Sequence, residues 1–126
     1  MATTAKELVA KAKAAVPAIS PENARTMIGK PDVLLVDVRD PSEVEKTGKL
    51  KGAVNVSRGM LEFRADPESP YHDARFSKDK SVILYCASGG RSALSGQALQ
   101  QLGYTKVHNL GSFKDGTDAG LPTEPA

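Results

Sequence analysis

Short runs of consecutive apolar residues alternate along this chain with segments whose apolar residues recur every three or four positions. The two strongest runs are residues 33–38, in which Asp37 is the only charged residue, and residues 82–85. A continuous apolar run of this length is typical of a strand that is buried on both faces, as in a parallel sheet. Residues 53–56 and 106–110 predict two further, shorter strands.

Helical segments lie between these runs. Residues 3–15 are strong helix formers, and Ser20 and Asp40 are each followed directly by proline, with a glutamate in the turn that begins there. A capping side chain with proline at the first helical position marks the start of a helix. A longer helical pattern begins at Ser92 and ends at Gly103, a residue type that commonly terminates helices.

The remaining segments carry weaker patterns. Residues 57–63 predict one more short helix, and residues 111–120 predict a loop or a weak helix. After Leu121 and Pro122 the chain has the composition of a disordered tail. Because strands alternate with helices throughout, we expect an α/β domain with a mainly parallel sheet and helices on both of its faces.

The composition is that of one globular domain. Of the 126 residues, 40% are hydrophobic and 25% are charged, which is sufficient for an ordinary core. We divide the chain into an N-terminal helical extension, residues 1–17, and a single α/β domain, residues 18–123.

Charge and cysteine content narrow the classes of function. A net charge of +2 is too small to indicate nucleic-acid binding, and the sequence contains neither a membrane-spanning apolar stretch nor a secretory signal. The single cysteine, Cys86, excludes an internal disulfide and a cysteine-rich zinc site, and it favours a reducing compartment. The sequence therefore predicts a cytoplasmic protein that binds no membrane and uses no metal or other cofactor.

Cys86 stands where the second strong run ends and a helix is about to begin. The residues that follow it are Ala87, Ser88, Gly89, Gly90, Arg91 and Ser92. Backbone N–H groups of such a loop, the positive end of the helix and the Arg91 guanidinium would all stabilise a thiolate, the reactive form of cysteine. A small core residue is the alternative interpretation of Cys86. A phosphate-binding P-loop is disfavoured, because the Gly-Lys-Thr/Ser ending is missing.

This loop resembles the active-site loop of single-domain rhodanese-like sulfurtransferases, whose pattern is Cys, four residues and Arg. Asp37 and Arg39 are similar to the family's Asp-x-Arg segment, and Glu43 to the acidic helix that follows it. Three further segments resemble the family in the same order, namely residues 48–56, 102–107 and 120–122. The resemblance covers about residues 18–123.

The resemblance implies a rhodanese-like single domain that moves sulfane sulfur through a persulfide on Cys86. The thiolate would take one sulfur from a thiosulfate, polysulfide or persulfide donor, and cyanide or a thiol would then remove it. The implied partners are therefore a small sulfur donor and a thiol or cyanide acceptor, with a sulfur-accepting protein as a further class of partner.

The same resemblance implies roles for the residues around the cysteine. Backbone N–H groups of the loop, residues 87–92, would hold the persulfide anion, and Arg91 would brace the loop or orient the donor. Ser92 would cap the helix or form a hydrogen bond with the sulfur. Asp37 and Arg39 would support the neighbouring loop as an ion pair, which Glu43 would join.

The sequence departs from the family pattern at several positions. Ala87 stands where many active members carry arginine, which removes a cation from the predicted pocket. Lys49 replaces the usual histidine, and the usual tryptophan after the last strand is absent. Four residues are interpreted either as pocket walls or as core: Phe63, Arg64, Tyr71 and Phe76.

Two other functions remain open at this point. Phosphatases and arsenate reductases of related fold place five residues between cysteine and arginine, whereas only four separate Cys86 from Arg91. The shorter loop favours a single sulfur over a tetrahedral phosphate. The second alternative is a non-catalytic sulfur carrier or regulatory module.

Overall fold

Four parallel strands form the central sheet of the computed structural model, which describes residues 2–126. They are β1 (Val33–Asp37), β3 (Val54–Asn55), β4 (Ser81–Cys86) and β5 (Val107–Ser112), and the two-residue strand β2 (Lys49–Leu50) precedes β3. The order across the sheet is β3-β1-β4-β5, so that the two strongest apolar runs lie side by side at its centre. Because the strands are parallel, their carboxyl ends meet at one edge.

Six α-helices in residues 2–126 pack around this sheet. They are α1 (Ala5–Ala15), α2 (Pro21–Met27), α3 (Pro41–Thr47), α4 (Leu61–Ala65), α5 (Gly90–Gln101) and α6 (Phe113–Asp118). The predicted cap at Ser20 accepts a hydrogen bond from the N–H of Asn23. Helix α5 begins at Gly90 rather than at Ser92, because Gly89 adopts a left-handed conformation with φ of 97° and turns the chain directly from strand to helix.

The core consists of two apolar clusters, one on each face of the sheet. Side chains alternate along β4, so that Val82, Leu84 and Cys86 enter one cluster and Ile83 and Tyr85 enter the other. Helices α4 and α5 and the end of α1 cover the first cluster, and α2 and α6 cover the second. This arrangement confirms the predicted α/β fold with helices on both faces.

Helix α1 packs closely against α5. A Cβ on Gly96 would lie 2.8 Å from a methyl carbon of Val16, so that only glycine fits at this contact. Beyond the helix, the N–H of Asn109 donates to the carbonyl of Pro17 at 2.8 Å, and the N–H of Ile19 donates to the carbonyl of Asn109 at 3.0 Å. The segment that follows α1 is therefore bound to the edge strand β5.

The prediction of a disordered tail after Leu121 was wrong. Thr123–Glu124 forms a sixth strand, β6, which pairs antiparallel with β2. The ammonium of Lys49 lies 2.6 Å from a carboxylate oxygen of Glu124 across this pair. Each of the two strands has only two residues, so that the pairing depends on contacts between distant parts of the chain and has no local pattern.

Candidate active site

The Cys86 loop lies at the carboxyl edge of the sheet, between β4 and α5. Cys86 is the last residue of β4, and Gly89 turns the chain into the helix. A Cβ on Gly89 would lie 3.4 Å from the Cα of Gly111, and the positive φ of Gly89 would strain any other residue. The loop therefore packs against the backbone of β5.

The sulfur of Cys86 is the acceptor at the centre of this loop. The N–H of Gly89 donates to Sγ at 2.9 Å, and the hydroxyl oxygen of Ser92 lies 3.4 Å from it. Burial raises the pKa of the Cys86 thiol, but hydrogen bonds from Ser92, Ser88 and Gly89 lower it by more, so that the pKa falls below its usual value. The site thus stabilises the thiolate, the nucleophilic form.

The single hydroxyl proton of Ser92 has three acceptors within reach. Ser92 Oγ lies 2.7 Å from Asn109 Oδ1, 3.1 Å from the carbonyl oxygen of Gly89 and 3.4 Å from Cys86 Sγ. Asn109 Oδ1 also accepts the N–H of Gly111 at 2.9 Å, so that it keeps a donor when the hydroxyl turns away. The hydroxyl can therefore donate to the sulfur when the sulfur is charged, and Asn109 Oδ1 still has a hydrogen-bond donor.

Arg91 forms a two-point ion pair with Glu43 of α3. Its Nη1 and Nη2 donate to Oε1 and Oε2 of Glu43 at 2.6 and 3.0 Å. Hydrogen bonding to Arg91 lowers the pKa of Glu43 to about 2, so that the pair is charged at neutral pH. The expectation that Glu43 joins the Asp37–Arg39 pair was wrong, because its two oxygens are bound to Arg91 instead.

Asp37 and Arg39 form a separate, buried ion pair. The side chain of Asp37 is fully buried and that of Arg39 is 3% exposed, with Nη2 of Arg39 2.7 Å from Oδ2 of Asp37. Nη1 of Arg39 also donates to Thr47 Oγ1 at 2.8 Å, and Nη2 donates to the carbonyl of Gly48 at 2.9 Å. The pair thereby connects the end of β1 to the end of α3.

Two clefts flank the loop. The first, the α3–α6 cleft, has a volume of about 290 Å³, and its walls include Lys46 of α3, Ala87 of the loop and Phe113 of α6. The second, the α1–β5 cleft, has a volume of about 300 Å³, and its walls include Ser88 of the loop and residues of α1, β5 and α6. Small molecules can therefore approach the loop from two sides.

The thiol itself is enclosed. Cys86 is fully buried, whereas Ala87 and Ser88, which follow it, are exposed. A donor can therefore reach the sulfur only when atoms around it move. The two clefts border the exposed part of the loop, one at Ala87 and the other at Ser88.

The structure shows which of the aromatic residues interpreted as pocket walls or core are buried. Phe76 belongs to the buried core, whereas Phe63 and Tyr71 are 51% and 58% exposed. The aromatic ring beside the loop is instead Phe113, which lies under the guanidinium of Arg39 at 4.3 Å. In the sequence, its position directly after the strand that became β5, where the family usually has tryptophan, was the available signal.

Three further polar residues near the loop were not predicted. Asn109 is buried and bonded to Ser92, and Lys13 and Asp115 line the α1–β5 cleft. Asn109 belongs to an apolar strand pattern, so that a polar residue within it was the available signal. Lys13 and Asp115 lie at distant points of the chain, and no sequence pattern connects them.

Residues 2–126 contain no cluster of three His, Cys, Asp or Glu side chains that could hold a metal ion. Within the same residues, no helix combines the length and the apolar character that crossing a membrane requires.

Known structures share this fold. A protein of unknown function from Rhodopseudomonas palustris CGA009, described as a "Possible Tyrosine Phosphatase", is 37% identical, with a TM-score of 0.88 over 98% of this chain and 96% of that one. The polysulfide-sulfur transferase homodimer of Wolinella succinogenes is 32% identical, with a TM-score of 0.75 over 96% of this chain and 87% of that one.

A curated relative carries a different name. The tRNA uridine(34) hydroxylase of Wolbachia sp. subsp. Brugia malayi (strain TRS) is 37% identical over 94 residues, which are 73% of this chain and 33% of that protein. The chain thus spans about a third of the length of this relative. A family model described as "Rhodanese-like domain" matches residues 20–119, and since this is most of the chain, the protein belongs to the rhodanese-like domain family.

Proposed function

We propose that this protein is a sulfurtransferase that carries sulfane sulfur as a persulfide on Cys86. The observation that carries the proposal is the sulfur environment: the N–H of Gly89 and the hydroxyl of Ser92 both approach Sγ, and the pKa of the thiol is lowered. The same groups can hold the negative charge of a persulfide. The likeness to the Wolinella succinogenes polysulfide-sulfur transferase supports the same reaction class.

The first half-reaction is a displacement at sulfur. The Cys86 thiolate attacks the outer sulfur of thiosulfate, a new S–S bond forms, and sulfite leaves with the electron pair of the broken bond. In the second half-reaction cyanide attacks the outer sulfur of the persulfide, thiocyanate forms, and Cys86 returns to its thiolate. No cofactor takes part in either step.

Arg91 supports this reaction from one side of the loop. Its two-point pair with Glu43 fixes the first turn of α5, on which the loop depends, and leaves the side chain 34% exposed. A half-exposed guanidinium can also attract an anionic donor to the loop. Arg91 is thus a positioning residue with a second role in donor approach.

Phosphate chemistry is the main competitor, since one structural neighbour is described as a possible tyrosine phosphatase. Four residues separate Cys86 from Arg91, and the N–H of Gly89 points at the sulfur itself at 2.9 Å. A tetrahedral phosphate instead needs several N–H groups that point into the space beyond the sulfur. The loop therefore fits one added sulfur atom better than a phosphoryl group.

Hydroxylation of tRNA is named for relatives more than twice as long as this chain, and the matched residues are only 33% of the relative from Wolbachia sp. subsp. Brugia malayi. A net charge of +2 does not favour a nucleic-acid substrate. We therefore favour sulfur transfer over hydroxylation as the function of this chain.

The test is intact-mass spectrometry of the purified chain after treatment with thiosulfate or with polysulfide. We expect a gain of about one sulfur atom, which cyanide removes with release of thiocyanate. Cys86→Ser is the matched variant, and it should gain no mass while its circular dichroism spectrum stays unchanged. No gain with either donor, or an equal gain in Cys86→Ser, would refute the proposal.

Turnover separates the remaining alternatives. Steady release of thiocyanate identifies an enzyme, whereas a stable persulfide that passes to no small acceptor identifies a sulfur carrier. Robust Cys86-dependent hydrolysis of an artificial aryl phosphate would favour the phosphatase over both.

A further inference from the structure

The α1–β5 cleft carries two opposite charges beside the Cys86 loop. Lys13 lies in the last turn of α1 and Asp115 in the first turn of α6, and both line the cleft together with Ser88 and Gly89. The volume of about 300 Å³ is at the lower end of the range for small-molecule sites. Within residues 2–126 neither charge belongs to an ion pair, so that both are free to bind a ligand.

Lys13 is carried by a well-anchored element. Its neighbour Ala12 is fully buried, and Val9 of the same helix lies against the first residue of α5, where a Cβ on Gly90 would be 3.6 Å away. The amide of Gln100 in α5 donates to the carbonyl of Ala15 at 3.0 Å. Helix α1 therefore holds the start of the Lys13 side chain at a fixed position relative to the loop.

We propose that the α1–β5 cleft binds the thiol acceptor as a zwitterion, an α-amino-acid thiol of the cysteine type. Its carboxylate would lie on Lys13 and its ammonium on Asp115, with its sulfur directed at Ser88 and Gly89, which belong to the Cys86 loop. This inference rests on the proposed sulfur transfer and names the acceptor class for it.

The pair of charges distinguishes this ligand from the alternatives. An inorganic dianion such as thiosulfate is attracted by Lys13 but repelled by Asp115, and an uncharged thiol uses neither residue. A zwitterion satisfies both charges at once, so that the cleft selects it through two contacts with its α-amino and α-carboxyl groups and leaves its thiol free to react.

The transfer step balances without a further reactant. The acceptor thiolate attacks the outer sulfur of the Cys86 persulfide, and a new S–S bond forms between them. The bond between the outer sulfur and Cys86 Sγ breaks, and its electron pair stays on Sγ. Cys86 returns to the thiolate that Gly89 and Ser92 stabilise, and the acceptor leaves as its own persulfide.

The experiment measures how fast persulfidated protein passes its sulfur to four acceptors. L-Cysteine has both charged groups, 3-mercaptopropionate has only the carboxylate, cysteamine has only the ammonium, and 2-mercaptoethanol has neither. The loss of added sulfur is followed by intact mass at low acceptor concentration. Each variant is expressed relative to wild type for the same acceptor, so that differences in thiol reactivity cancel.

Lys13→Ala should slow transfer to cysteine and to 3-mercaptopropionate by about threefold to fivefold, and leave cysteamine and 2-mercaptoethanol unchanged. Asp115→Asn should slow transfer to cysteine and to cysteamine by a similar factor, and leave the other two unchanged. A merely structural defect would slow all four acceptors alike.

Two matched controls use exposed charges outside the cleft. Lys11→Ala removes another lysine of α1, and Glu22→Gln removes a carboxylate of α2; both should behave as wild type. The proposal would be overturned if Lys13→Ala or Asp115→Asn slowed transfer to all four acceptors by the same factor. It would also be overturned if Lys11→Ala slowed transfer to the same acceptors as Lys13→Ala. In both cases sulfur transfer itself would stand. A wild-type chain that takes up no sulfur would instead reject the proposed function, and this inference with it.

Discussion

Two Asp-x-Arg turns in this protein have the same geometry in different surroundings. In both Asp37–Arg39 and Asp73–Arg75, the arginine N–H donates to Oδ1 at 2.9 Å and Nε donates to the same oxygen at 3.0 Å. The contacts of Nη2 with Oδ2 measure 2.7 and 2.6 Å. The first pair is 3% and 0% exposed, whereas the second is 60% and 17% exposed.

The comparison teaches that a local motif does not determine its own energetic role. Around Arg39, Thr47 and Gly48 accept two further N–H groups, so that the buried charge has partners beyond Asp37. Around Arg75, water competes for the same groups. Removal of one partner is therefore costly in the first turn and nearly neutral in the second.

The largest effect should come from Arg39→Ala. The substitution leaves Asp37 buried without its partner and frees the end of α3, so that we expect a loss of about 3–5 kcal/mol in the free energy of unfolding. Urea denaturation followed by circular dichroism measures it. A loss below about 1 kcal/mol would show that burial does not distinguish the two turns.

Arg91→Ala tests the third arginine pair, in which the exposure of the arginine, 34%, lies between those of Arg39 and Arg75. We expect a stability loss of at most about 1 kcal/mol, together with about a tenfold loss of thiosulfate turnover. Urea denaturation and thiocyanate release measure the two effects separately. Unchanged turnover would show that Arg91 neither positions the loop nor attracts the donor.

Arg75→Ala is the matched control for Arg39→Ala. Because the guanidinium is 60% exposed, its loss should change the free energy of unfolding by no more than about 1 kcal/mol and leave thiosulfate turnover unchanged. A loss comparable to that of Arg39→Ala would mean that geometry, rather than burial, sets the strength of the turn.

The smallest effect is a pH dependence. Hydrogen bonding to Arg75 lowers the pKa of Asp73 from 3.8 to about 2 in the folded protein. A lowered folded-state pKa stabilises the protein above the unfolded value, and this stabilisation is lost as the pH falls from 3.8 towards about 2. The difference in unfolding free energy between wild type and Asp73→Asn should therefore be largest at about pH 7 and shrink by about pH 3. A constant difference would contradict the lowered pKa of Asp73.

Local patterns were sufficient for most of the fold. Continuous apolar runs identified β1 and β4, and the cap at Ser20 identified the start of α2. The β2–β6 pair was missed, because two-residue strands acquire their structure from each other rather than from their own sequence. The start of α5 was misplaced by two residues, because glycine at Gly90 disfavours a helix in isolation while the left-handed turn at Gly89 imposes one.

The candidate site was predictable where its residues are contiguous. The loop from Cys86 to Ser92 could be recognised as a unit, and both groups that contact the sulfur, the N–H of Gly89 and the hydroxyl of Ser92, belong to it. The partner of Glu43 could not be predicted. Arg39 and Arg91 are equally plausible partners in the sequence, and only the position of α3 decides between them. Lys13 and Asp115 likewise come together only through the packing of α1 and α6 around β5.

The close contact between Gly96 and Val16 shows that the packed domain begins earlier in the chain than the family match does. The family match starts at residue 20, yet Val16 fills the groove over Gly96 and belongs to the main apolar cluster. A chain trimmed to the matched residues would lose Val16 and expose the face of α5 that α1 covers. The family match is thus shorter than the packed unit, and a truncated chain meant to keep this unit intact should begin before α1.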